Sequence, residues 1–323
     1  MKRIAVLTSG GDGAGLNPCI RAVVRTAIEK KVEIMGVRWG YSGLLDSDML
    51  ELNARSVGGI LNKGGTFIGS ARSPEFATKQ GQRQALRNLN RMSIEGLIVI
   101  GGNGSLTGAL ELHKMGFPVV GIPATIDNDV NGTDISIGVD TTLNTILDAV
   151  DKIKDTASSH QRAFLIEVMG RDSGYLALMA SIAAGSEIVL IPEVGTSMEE
   201  VVQGVDDAYV KGKSHCIIIV SEGWQPGAMA LNDYLQERRE KIGFDVRLTV
   251  LGHVQRGGSP TSYDRILATN LGAAAVNQLL EGPQGVMTGM IKNAPSPTPL
   301  EEAVAFQKKL NLDLYGLWKT MTL

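Results

Sequence analysis

Short runs of apolar residues alternate along the chain with longer stretches in which apolar residues recur at helical spacing. The short runs predict buried strands over residues 4–8, 96–100, 118–122, 163–168, 188–191, 215–220, 246–251 and 285–290. The longer stretches predict helices over residues 16–29, 106–115, 139–153, 174–184, 198–209, 233–242 and 264–280. Such alternation is typical of mainly parallel sheets that are covered by helices on both faces.

A length of 323 residues exceeds one ordinary core and suits two domains. We therefore predict an α/β protein with two Rossmann-like domains, each a three-layer α/β/α sandwich. The chain is expected to leave the first domain near Gly138 and to return near Leu251. The expected ranges are residues 1–138 plus about 251–300, and residues 139–250 plus about 301–323. Residues 294–299, with three prolines, predict a rigid surface connection.

The composition excludes several classes of protein. Apolar residues make up 43% and charged residues 20% of the chain, which is typical of a globular protein. A net charge of -3 without a lysine and arginine run argues against nucleic acid and membrane partners. Only Cys19 and Cys216 occur, so no disulfide framework is expected. Glycines at positions 10 and 11 come too early for a signal peptide, so a soluble, cytoplasmic protein is expected.

Two glycine-rich turns are candidates for binding phosphate. Residues 9–15 and 101–105 each join a predicted strand to a predicted helix, whose free amides favour anions. Neither turn fits the dinucleotide fingerprint, since its third glycine would fall at Leu16 or at Thr107. Residues 212–214 (GKS) look like the end of a P-loop, but they follow a helix and precede a strand, which is the reverse order.

An acidic turn follows the predicted strand at residues 118–122. Thr125, Asp127, Asn128 and Asp129 leave this strand together, where parallel sheets bind ligands. A solvated turn is the alternative for this segment alone, because aspartate and asparagine favour turns. With the two glycine-rich turns, however, it forms a set of polar turns at three strand ends.

Five arginines lie among small or polar neighbours, in settings that resemble loops, and the planar guanidinium suits phosphate oxygens. They are Arg72, Arg162, Arg171, Arg247 and Arg256. Any one of them alone is more typical of an ordinary surface arginine. Together with the polar turns they suggest a site for a transition state that carries two phosphoryl groups.

The chain resembles the bacterial 6-phosphofructokinases along nearly its whole length. The matching segments are residues 7–12 (LTSGGD), 65–72 (GTFIGSAR), 125–129 (TIDND), 155–162 (DTASSHQR), 167–171 (EVMGR) and 251–258 (LGHVQRGG). The resemblance implies an active site in the cleft between the two domains. It also implies that the γ-phosphoryl group of ATP passes to the 1-hydroxyl of fructose 6-phosphate, a step of glycolysis.

The resemblance assigns roles to residues. Asp127 would be the base, Thr125 would orient the phosphoryl group and Arg171 would neutralise its charge. Residues expected at the nucleotide are Gly11, Tyr41, Arg72, Ser73, Gly102, Asn103, Gly104, Ser105 and Gly108. Residues expected at the sugar phosphate are Thr125, Asp127, Arg162, Met169, Gly170, Arg171, Glu222, Arg247, His253 and Arg256.

Arg162 and Arg247 match residues that reach a neighbouring subunit, which implies a homotetramer. For Glu222 and His253 the alternative is a buried polar group satisfied by hydrogen bonds.

Two positions of this chain bear on the cofactor and the donor. The resemblance implies Mg²⁺, but Asn103 stands where the family has its magnesium aspartate, so Asp129 is the remaining acidic candidate. Asparagine keeps an oxygen acceptor and loses the charge, which predicts weaker magnesium affinity and lower turnover. Gly104 and Ala124 are small where pyrophosphate-using relatives carry aspartate and lysine, which favours ATP.

The resemblance also implies an effector site for ADP or phosphoenolpyruvate. The matching residues are Arg21, Arg25, Lys154, Gly185, Glu187, Lys211, Lys213 and His215. Ala54 and Gly59 replace an arginine and an aspartate, which puts normal control in question. A solvated basic helix end is the alternative.

Two other functions remain open at this stage. One is a pyrophosphate-dependent phosphofructokinase. The other is a catalytically weakened regulatory paralogue that binds sugar phosphate, an idea motivated by Asn103. A nicotinamide-dependent dehydrogenase is disfavoured by the failed fingerprints.

Overall fold

The computed structural model describes residues 1–322, which divide into two compact units. Unit 1 comprises Met1–Thr141 and Arg256–Lys308, and unit 2 comprises Thr142–Gln255 and the segment from Lys309 onward. The chain passes between the units after residues 141, 255 and 308. The expected range 301–323 ends at a residue that lies outside the described residues.

The strands and helices follow the predicted alternation. The strands are β1 (Arg3–Thr8), β2 (Glu33–Val37), β3 (Met49–Leu52), β4 (Gly96–Gly101), β5 (Val119–Pro123), β6 (Arg162–Val168), β7 (Ile188–Leu190), β8 (Cys216–Ser221), β9 (Asp245–Val250), β10 (Val286–Ile291) and β11 (Ala294–Pro299). The helices are α1 (Leu16–Glu29), α2 (Gly40–Asp46), α3 (Lys79–Arg91), α4 (Asn103–Lys114), α5 (Val139–His160), α6 (Tyr175–Ala184), α7 (Met198–Val210), α8 (Ala228–Gln236), α9 (Arg239–Ile242), α10 (Ser262–Glu281), α11 (Leu300–Ala305) and α12 (Asp313–Met321).

Unit 1 contains a seven-stranded sheet in the order β11-β10-β5-β4-β1-β2-β3. The five inner strands pair in parallel, and only the edge strands β3 and β11 run antiparallel to their neighbours. Successive residues of a strand face opposite sides of the sheet. Ile98 thus packs with α1 and α10, whereas Val99 packs with α3 and α4 on the other face. The predicted α/β/α architecture is therefore confirmed for this unit.

Unit 2 contains a four-stranded parallel sheet in the order β7-β8-β6-β9. Helices α7, α8 and α9 contribute Val205, Leu231 and Ile242 to the core on one face. The C-terminal helix α12 is tied to the unit by Trp318, whose indole Nε1 donates to the Ser186 carbonyl at 3.1 Å. The α/β fold class is thus confirmed for this unit as well.

One sequence expectation about local structure is wrong. Residues 294–299 form strand β11, which pairs with β10 in antiparallel register, and are not the rigid surface connection that was expected. The N–H groups of a strand alternate between its two edges, so prolines at every second position remove donors from one edge only. An edge strand has such an unpaired side, and proline is tolerated there.

Further differences concern elements without a clear apolar pattern. The region expected as one helix over residues 233–242 forms two helices, α8 and α9. Helix α3 was not predicted, because its sequence is polar and part of its buried face is made by Gln82 and Asn88. The Asn88 amide satisfies its donors on the carbonyls of Leu44 at 2.9 Å and Leu45 at 2.7 Å.

Candidate active site

Three polar turns of unit 1 meet at one edge of its sheet. They follow β1, β4 and β5, which lie side by side in the sheet. The Ser9 amide donates to the Ile100 carbonyl at 3.1 Å, and the Ala124 amide donates to the Gly101 carbonyl at 3.0 Å. A Cβ atom added at Gly102 would lie 3.5 Å from the Cβ of Thr125. The structure therefore brings together the two glycine-rich turns and the acidic turn that the sequence singled out.

The N-terminus of α4 is open and provides free amides. Gly102 precedes the helix and makes no side-chain cap, so the first amides of the helix have no intrahelical acceptor. A Cβ atom at Gly104 would meet no other atom within 4 Å. Free amides and the helix dipole make such an end suitable for phosphate.

Tyr41 lies beneath this helix end and does not face solvent. Its hydroxyl donates to the Ser105 carbonyl at 2.6 Å, and its ring stacks on Phe76 with centroids 3.9 Å apart. A Cβ atom at Gly108 would lie 2.8 Å from the ring, so this position of α4 requires glycine. Burial raises the pKa of the Tyr41 hydroxyl. Tyr41, which was expected at the nucleotide, therefore contacts the site through the start of α4.

The glycine turn after β1 lies against Arg256. The Arg256 Nη1 donates to the Asp12 carbonyl at 3.2 Å, and a Cβ atom at Gly11 would lie 2.3 Å from that nitrogen. Arg256 was expected at the sugar phosphate and Gly11 at the nucleotide, yet the structure places the two in contact. A side chain at position 11 would therefore require the Arg256 guanidinium to move.

A cavity of about 300 Å³ opens beside the same turn. Gly11 and Asp12 line one part of it, and Thr66, Ser70 and Trp39 line other parts. The Ser70 hydroxyl donates to the Gly10 carbonyl at 2.8 Å, which joins the two walls. Trp39, which is 55% exposed, was missed because no local pattern distinguishes it.

Arg72 and Ser73 lie two and three residues after Ser70 in the chain. Arg72 is exposed, while the Ser73 hydroxyl accepts the Phe76 amide at 3.4 Å. Arg72 therefore remains available to solvent beside the cavity wall, as a phosphate-binding arginine must be.

The acidic turn is held in shape by its own polar groups. The Thr125 hydroxyl accepts the Asp127 amide at 3.2 Å, and Asp127 is only 6% exposed. Asn128 has a φ of 50°, and its side-chain oxygen accepts the Ser136 amide at 3.1 Å. Asparagine is among the few residues that adopt this left-handed conformation readily. The turn thus presents Thr125 and Asp127 from a rigid backbone.

Asn103 and Asp129 are the residues that could hold a metal ion. The Asn103 Nδ2 donates to the Asp129 carbonyl at 3.4 Å. Its Oδ1 is buried and accepts no hydrogen bond from residues 1–322. An oxygen without a partner beside a carboxylate residue suits Mg²⁺, which binds one or two carboxylates together with substrate phosphates. Within that same range, no three histidine, cysteine, aspartate or glutamate side chains form a metal cluster.

In unit 2 the turn after β6 carries Arg171. Gly170 and Arg171 have φ values of 142° and 51°. The Glu222 Oε1 accepts both of their amides, at 3.1 and 2.8 Å. Glu222 and His253 are exposed, so the alternative that they are buried polar groups is wrong. Glu222 instead holds this strained turn through its main chain.

Gln255 supports the same turn from the other side and was not singled out in the sequence. It is 1% exposed, and its Oε1 accepts the Met169 amide at 3.1 Å. Its Nε2 donates to the Gly252 carbonyl at 3.0 Å, next to His253. Its place in segment 251–258, between His253 and Arg256, could have indicated it from the sequence.

Arg162 and Arg247 lie in strands β6 and β9, so the expectation of a loop is wrong for Arg162, while Arg247 falls in the strand expected over residues 246–251. The Asp245 carboxylate joins them, at 3.5 Å from the Arg162 Nε and 2.6 Å from the Arg247 Nη2. Arg162 and Asp245 are direct partners in the parallel register. The two arginines therefore share one carboxylate at the same end of the unit 2 sheet.

The expected effector residues fall into two groups. Arg21 and Arg25 lie on α1 of unit 1, whereas Lys154, Gly185, Glu187, Lys211, Lys213 and His215 belong to unit 2. In unit 2, the Lys213 Nζ lies 3.1 Å from the Glu187 Oε1, and the Lys154 ammonium donates to the Ala184 carbonyl. The His215 Nδ1 is hydrogen-bonded to the Ser158 hydroxyl at 2.9 Å. A cationic cluster therefore forms in unit 2.

None of the helices formed by residues 1–322 has the length and apolar character that crossing a membrane requires.

Comparisons with known proteins agree with the resemblance. Residues 3–279 match the family described as phosphofructokinase. The chain is 49% identical over 317 residues to the ATP-dependent 6-phosphofructokinase of Listeria welshimeri, covering 98% of both chains. It is 48% identical over 323 residues to the enzyme of the same name from Natranaerobius thermophilus, covering 100% of both. Phosphofructokinase from Saccharomyces cerevisiae matches at a TM-score of 0.86 and 38% identity, over all of this chain and 47% of that one.

Proposed function

The chain belongs to the phosphofructokinase family, and on that premise we propose that it is an ATP-dependent 6-phosphofructokinase. The reaction transfers the γ-phosphoryl group of ATP to the 1-hydroxyl of fructose 6-phosphate and yields fructose 1,6-bisphosphate and ADP. The observation that carries this proposal is the meeting of three polar turns at one sheet edge, with the buried Asp127 among them. The reaction is a step of glycolysis, and we place the enzyme in the cytoplasm.

The acidic turn and Arg171 supply the chemical groups. The Asp127 carboxylate accepts the proton of the sugar 1-hydroxyl. The sugar oxygen then forms a bond to the γ-phosphorus while the bond between that phosphorus and the ADP oxygen breaks. The Thr125 hydroxyl orients the transferred group, and the Arg171 guanidinium neutralises its charge. Phosphoryl transfer depends mainly on positioning and electrostatic stabilisation. The rigid acidic turn and the Glu222-held turn of Arg171 both suit that requirement.

The nucleotide phosphates are assigned to the N-terminus of α4 and to the turn at Gly11. The open space at Gly104 and the small side chain of Ala124 leave room for the α-phosphate and the nucleoside. Arg72, which is exposed beside the cavity wall, adds a cation for the phosphates. These features favour ATP over pyrophosphate as the donor.

Mg²⁺ is proposed as the cofactor, with the Asn103 Oδ1 and the Asp129 carboxylate as the protein ligands. When bound, the ion would neutralise negative charge on the nucleotide phosphates. The Asn103 Oδ1, which accepts no hydrogen bond from residues 1–322, supports this ligand set. Asp129 supplies the only full negative charge of the pair, since Asn103 replaces the aspartate of the family.

The sugar phosphate is assigned to Met169, Gly170, Glu222, His253 and Arg256. Arg162 and Arg247 are proposed to act on the site of a neighbouring subunit in a homotetramer. The cationic cluster of unit 2 is proposed to bind ADP or phosphoenolpyruvate as an effector, together with Arg21 and Arg25. Its pairing of Lys213 with Glu187 supports a site of mixed charge at that position.

The test is a comparison of phosphoryl donors with the purified protein. Fructose 6-phosphate and Mg²⁺ are supplied with either ATP or pyrophosphate, and fructose 1,6-bisphosphate is measured. We expect product with ATP alone, and a loss of at least about a hundredfold in Asp127→Asn, because the base is removed. Turnover with pyrophosphate alone would identify the pyrophosphate-dependent enzyme.

One observation, the missing carboxylate at position 103, favours a second candidate function. In that case the protein binds fructose 6-phosphate without turnover and acts as a regulatory paralogue. Restoration of turnover by Asn103→Asp would then identify the cause. Turnover of the unchanged protein with ATP would exclude this candidate.

A further inference from the structure

Lys308, the last residue of unit 1, bonds to both ends of the segment that carries Asp129. Its main-chain amide donates to the Asp129 carbonyl at 2.8 Å. Its ammonium donates to the Thr133 carbonyl at 2.9 Å and to the Asp134 carbonyl at 2.7 Å. One residue from a distant part of the chain thus joins the start and the end of segment 129–134.

The ammonium of Lys308 is half-buried, and burial lowers its pKa, although the charges of Asp134 and Asp129 oppose this shift. Removing a cation from water is unfavourable unless its donors are satisfied. Two main-chain carbonyls satisfy them here, which indicates that the contact is specific and not an incidental surface interaction.

Other hydrogen bonds also act at the two ends of the segment. At the far end, the Thr133 hydroxyl accepts the Met290 amide at 3.0 Å, and the Asp134 carboxylate accepts the Lys292 amide at 2.7 Å. At the near end, the Asn103 amide donates to the Asp129 carbonyl at 3.4 Å, and the adjacent Asn128 oxygen accepts the Ser136 amide at 3.1 Å. Lys308 therefore adds a connection between the Asp129 end and the anchored end of the segment.

We propose that Lys308 is a positioning residue for the metal and nucleotide site, holding the backbone from which the Asp129 carboxylate is presented. This inference rests on the proposed function, in which Asp129 is a metal ligand. Because position 103 supplies an amide and not a second carboxylate, the site depends on Asp129 for its charge. Partners that orient a metal ligand commonly contribute strongly to metal affinity.

The charge of Lys308 and its hydrogen bonds should have opposite effects on metal binding, which makes the inference testable. The ammonium bonds to the Thr133 and Asp134 carbonyls of the same segment, so its positive charge opposes a cation held by Asp129. If charge dominated, a neutral residue at position 308 would strengthen metal binding. If the hydrogen bonds dominate, as we propose, a neutral residue without donors weakens it.

The experiment compares Lys308→Met, Lys308→Gln and Lys308→Arg with the unchanged protein. Methionine removes charge and donors, glutamine keeps donors without charge, and arginine keeps both. Lys309→Met is the matched control, since Lys309 is exposed and adjacent. Two quantities are measured: amide hydrogen exchange of residues 128–136 without ligands, and Mn²⁺ binding in the presence of ATP.

We expect Lys308→Met to accelerate exchange in this segment and to weaken Mn²⁺ binding by about tenfold, as for other partners that orient metal ligands. Lys308→Arg should keep the exchange rates and the Mn²⁺ affinity of the unchanged protein, and Lys308→Gln should show a smaller change than Lys308→Met. Lys309→Met should alter neither quantity. In the turnover assay, the half-saturating Mg²⁺ concentration should rise while KM for fructose 6-phosphate stays constant. If Lys308→Met does not fold, Lys308→Gln is compared with Lys308→Arg in the same way.

Unchanged exchange and metal binding in the Met and Gln variants would overturn the inference, as would tighter Mn²⁺ binding in both. These measurements need no turnover. Absence of any phosphorylated product from the unchanged protein would therefore refute the proposed function separately, while exchange and Mn²⁺ binding would still decide the role of Lys308.

Discussion

At the scale of single residues, several side chains of the candidate site form hydrogen bonds with its backbone. Glu222 accepts the amides of Gly170 and Arg171, the Thr125 hydroxyl accepts the amide of Asp127, and Tyr41 holds the carbonyl of Ser105. Such contacts fix where a neighbouring group points, which is what electrostatic catalysis requires. Asn103 is the exception, because its Oδ1 is buried without a hydrogen bond from residues 1–322.

The Asn103→Asp substitution is expected to strengthen Mg²⁺ binding, because a second carboxylate adds charge to the ligand set. The half-saturating Mg²⁺ concentration should fall by about tenfold, which corresponds to about 1.4 kcal/mol. A Mg²⁺ titration of turnover at saturating ATP measures this, with Asn103→Ala as the control that lacks any side-chain oxygen. An unaltered Mg²⁺ dependence in Asn103→Asp would contradict the assignment of position 103 to the metal site.

A second residue-scale prediction concerns pH. Burial, and then the nearby charge of Glu222, raise the pKa of the Glu167 carboxyl above its ordinary value. The folded chain therefore binds this proton more tightly than the unfolded chain, so the stability contributed by Glu167 falls as pH rises from its unfolded pKa through its folded pKa. Glu167→Gln lacks this ionisation, so its stability relative to the unchanged protein should increase over that same window.

The measurement is equilibrium unfolding in urea at a series of pH values between about 4 and 7, which spans the ordinary glutamate pKa and the region above it. The exposed Glu240 provides a matched control as Glu240→Gln. A stability difference for Glu167→Gln that does not vary with pH would show that the carboxyl is not perturbed.

At the scale of elements, the junction between α5 and α10 is organised by one buried aspartate. Asp264, which is fully buried, accepts the amides of Gly138 at 2.9 Å and Thr141 at 2.8 Å, and the Thr141 hydroxyl at 2.6 Å. It thereby accepts amides at the start of α5, while the Thr261 hydroxyl caps α10 by accepting the Asp264 amide. One carboxylate therefore holds two helix N-termini together.

Replacing Asp264 with asparagine is expected to destabilise the fold by about 1–3 kcal/mol, because a buried donor is left without its acceptor. Urea unfolding at a fixed protein concentration measures the change. Asp233→Asn, at an exposed position of α8, is the control and should change stability little. Equal stability of Asp264→Asn and the unchanged protein would mean that this carboxylate is not needed at the junction.

At the scale of the whole molecule, the proposed site is incomplete in one subunit if Arg162 and Arg247 act on a neighbour. Within one chain these arginines share Asp245, so each has an intramolecular partner. The proposed tetramer can be tested without a structure of the assembly. Two inactive variants can restore activity to one another only if their altered residues are contributed to the same active site by different subunits.

Arg162→Ala and Arg171→Ala are each expected to lose most turnover. The two variants are unfolded together and refolded as an equal mixture. About a quarter of the sites should then combine an intact Arg171 from one subunit with an intact Arg162 from its neighbour. Turnover of the mixture should rise towards that fraction of the unchanged protein. If the mixture stays as inactive as its components while refolded unchanged protein recovers, Arg162 acts within its own subunit.

Much of the local structure followed from the sequence. Helix α1 was predicted at its observed bounds. The strands expected before the turns of the candidate site are also present, because a short apolar run is typical of a buried strand. The polar turns of the candidate site were recognised for a similar reason, since glycine and aspartate act on the backbone close to their own position. Strand β11 and helix α3 were missed, because their contacts outweigh a local composition that points to a loop.

The sequence by itself determined the α/β class, the polar turns at three strand ends and the family to which these motifs belong. Only the tertiary structure decided that Arg256 lies on the Gly11 turn and that Gln255 and Glu222 support Arg171. It alone decided that Lys308 joins the ends of the Asp129 segment. Local patterns record burial and backbone preference, whereas these contacts join residues far apart in the chain, which only the packing of the folded molecule brings together.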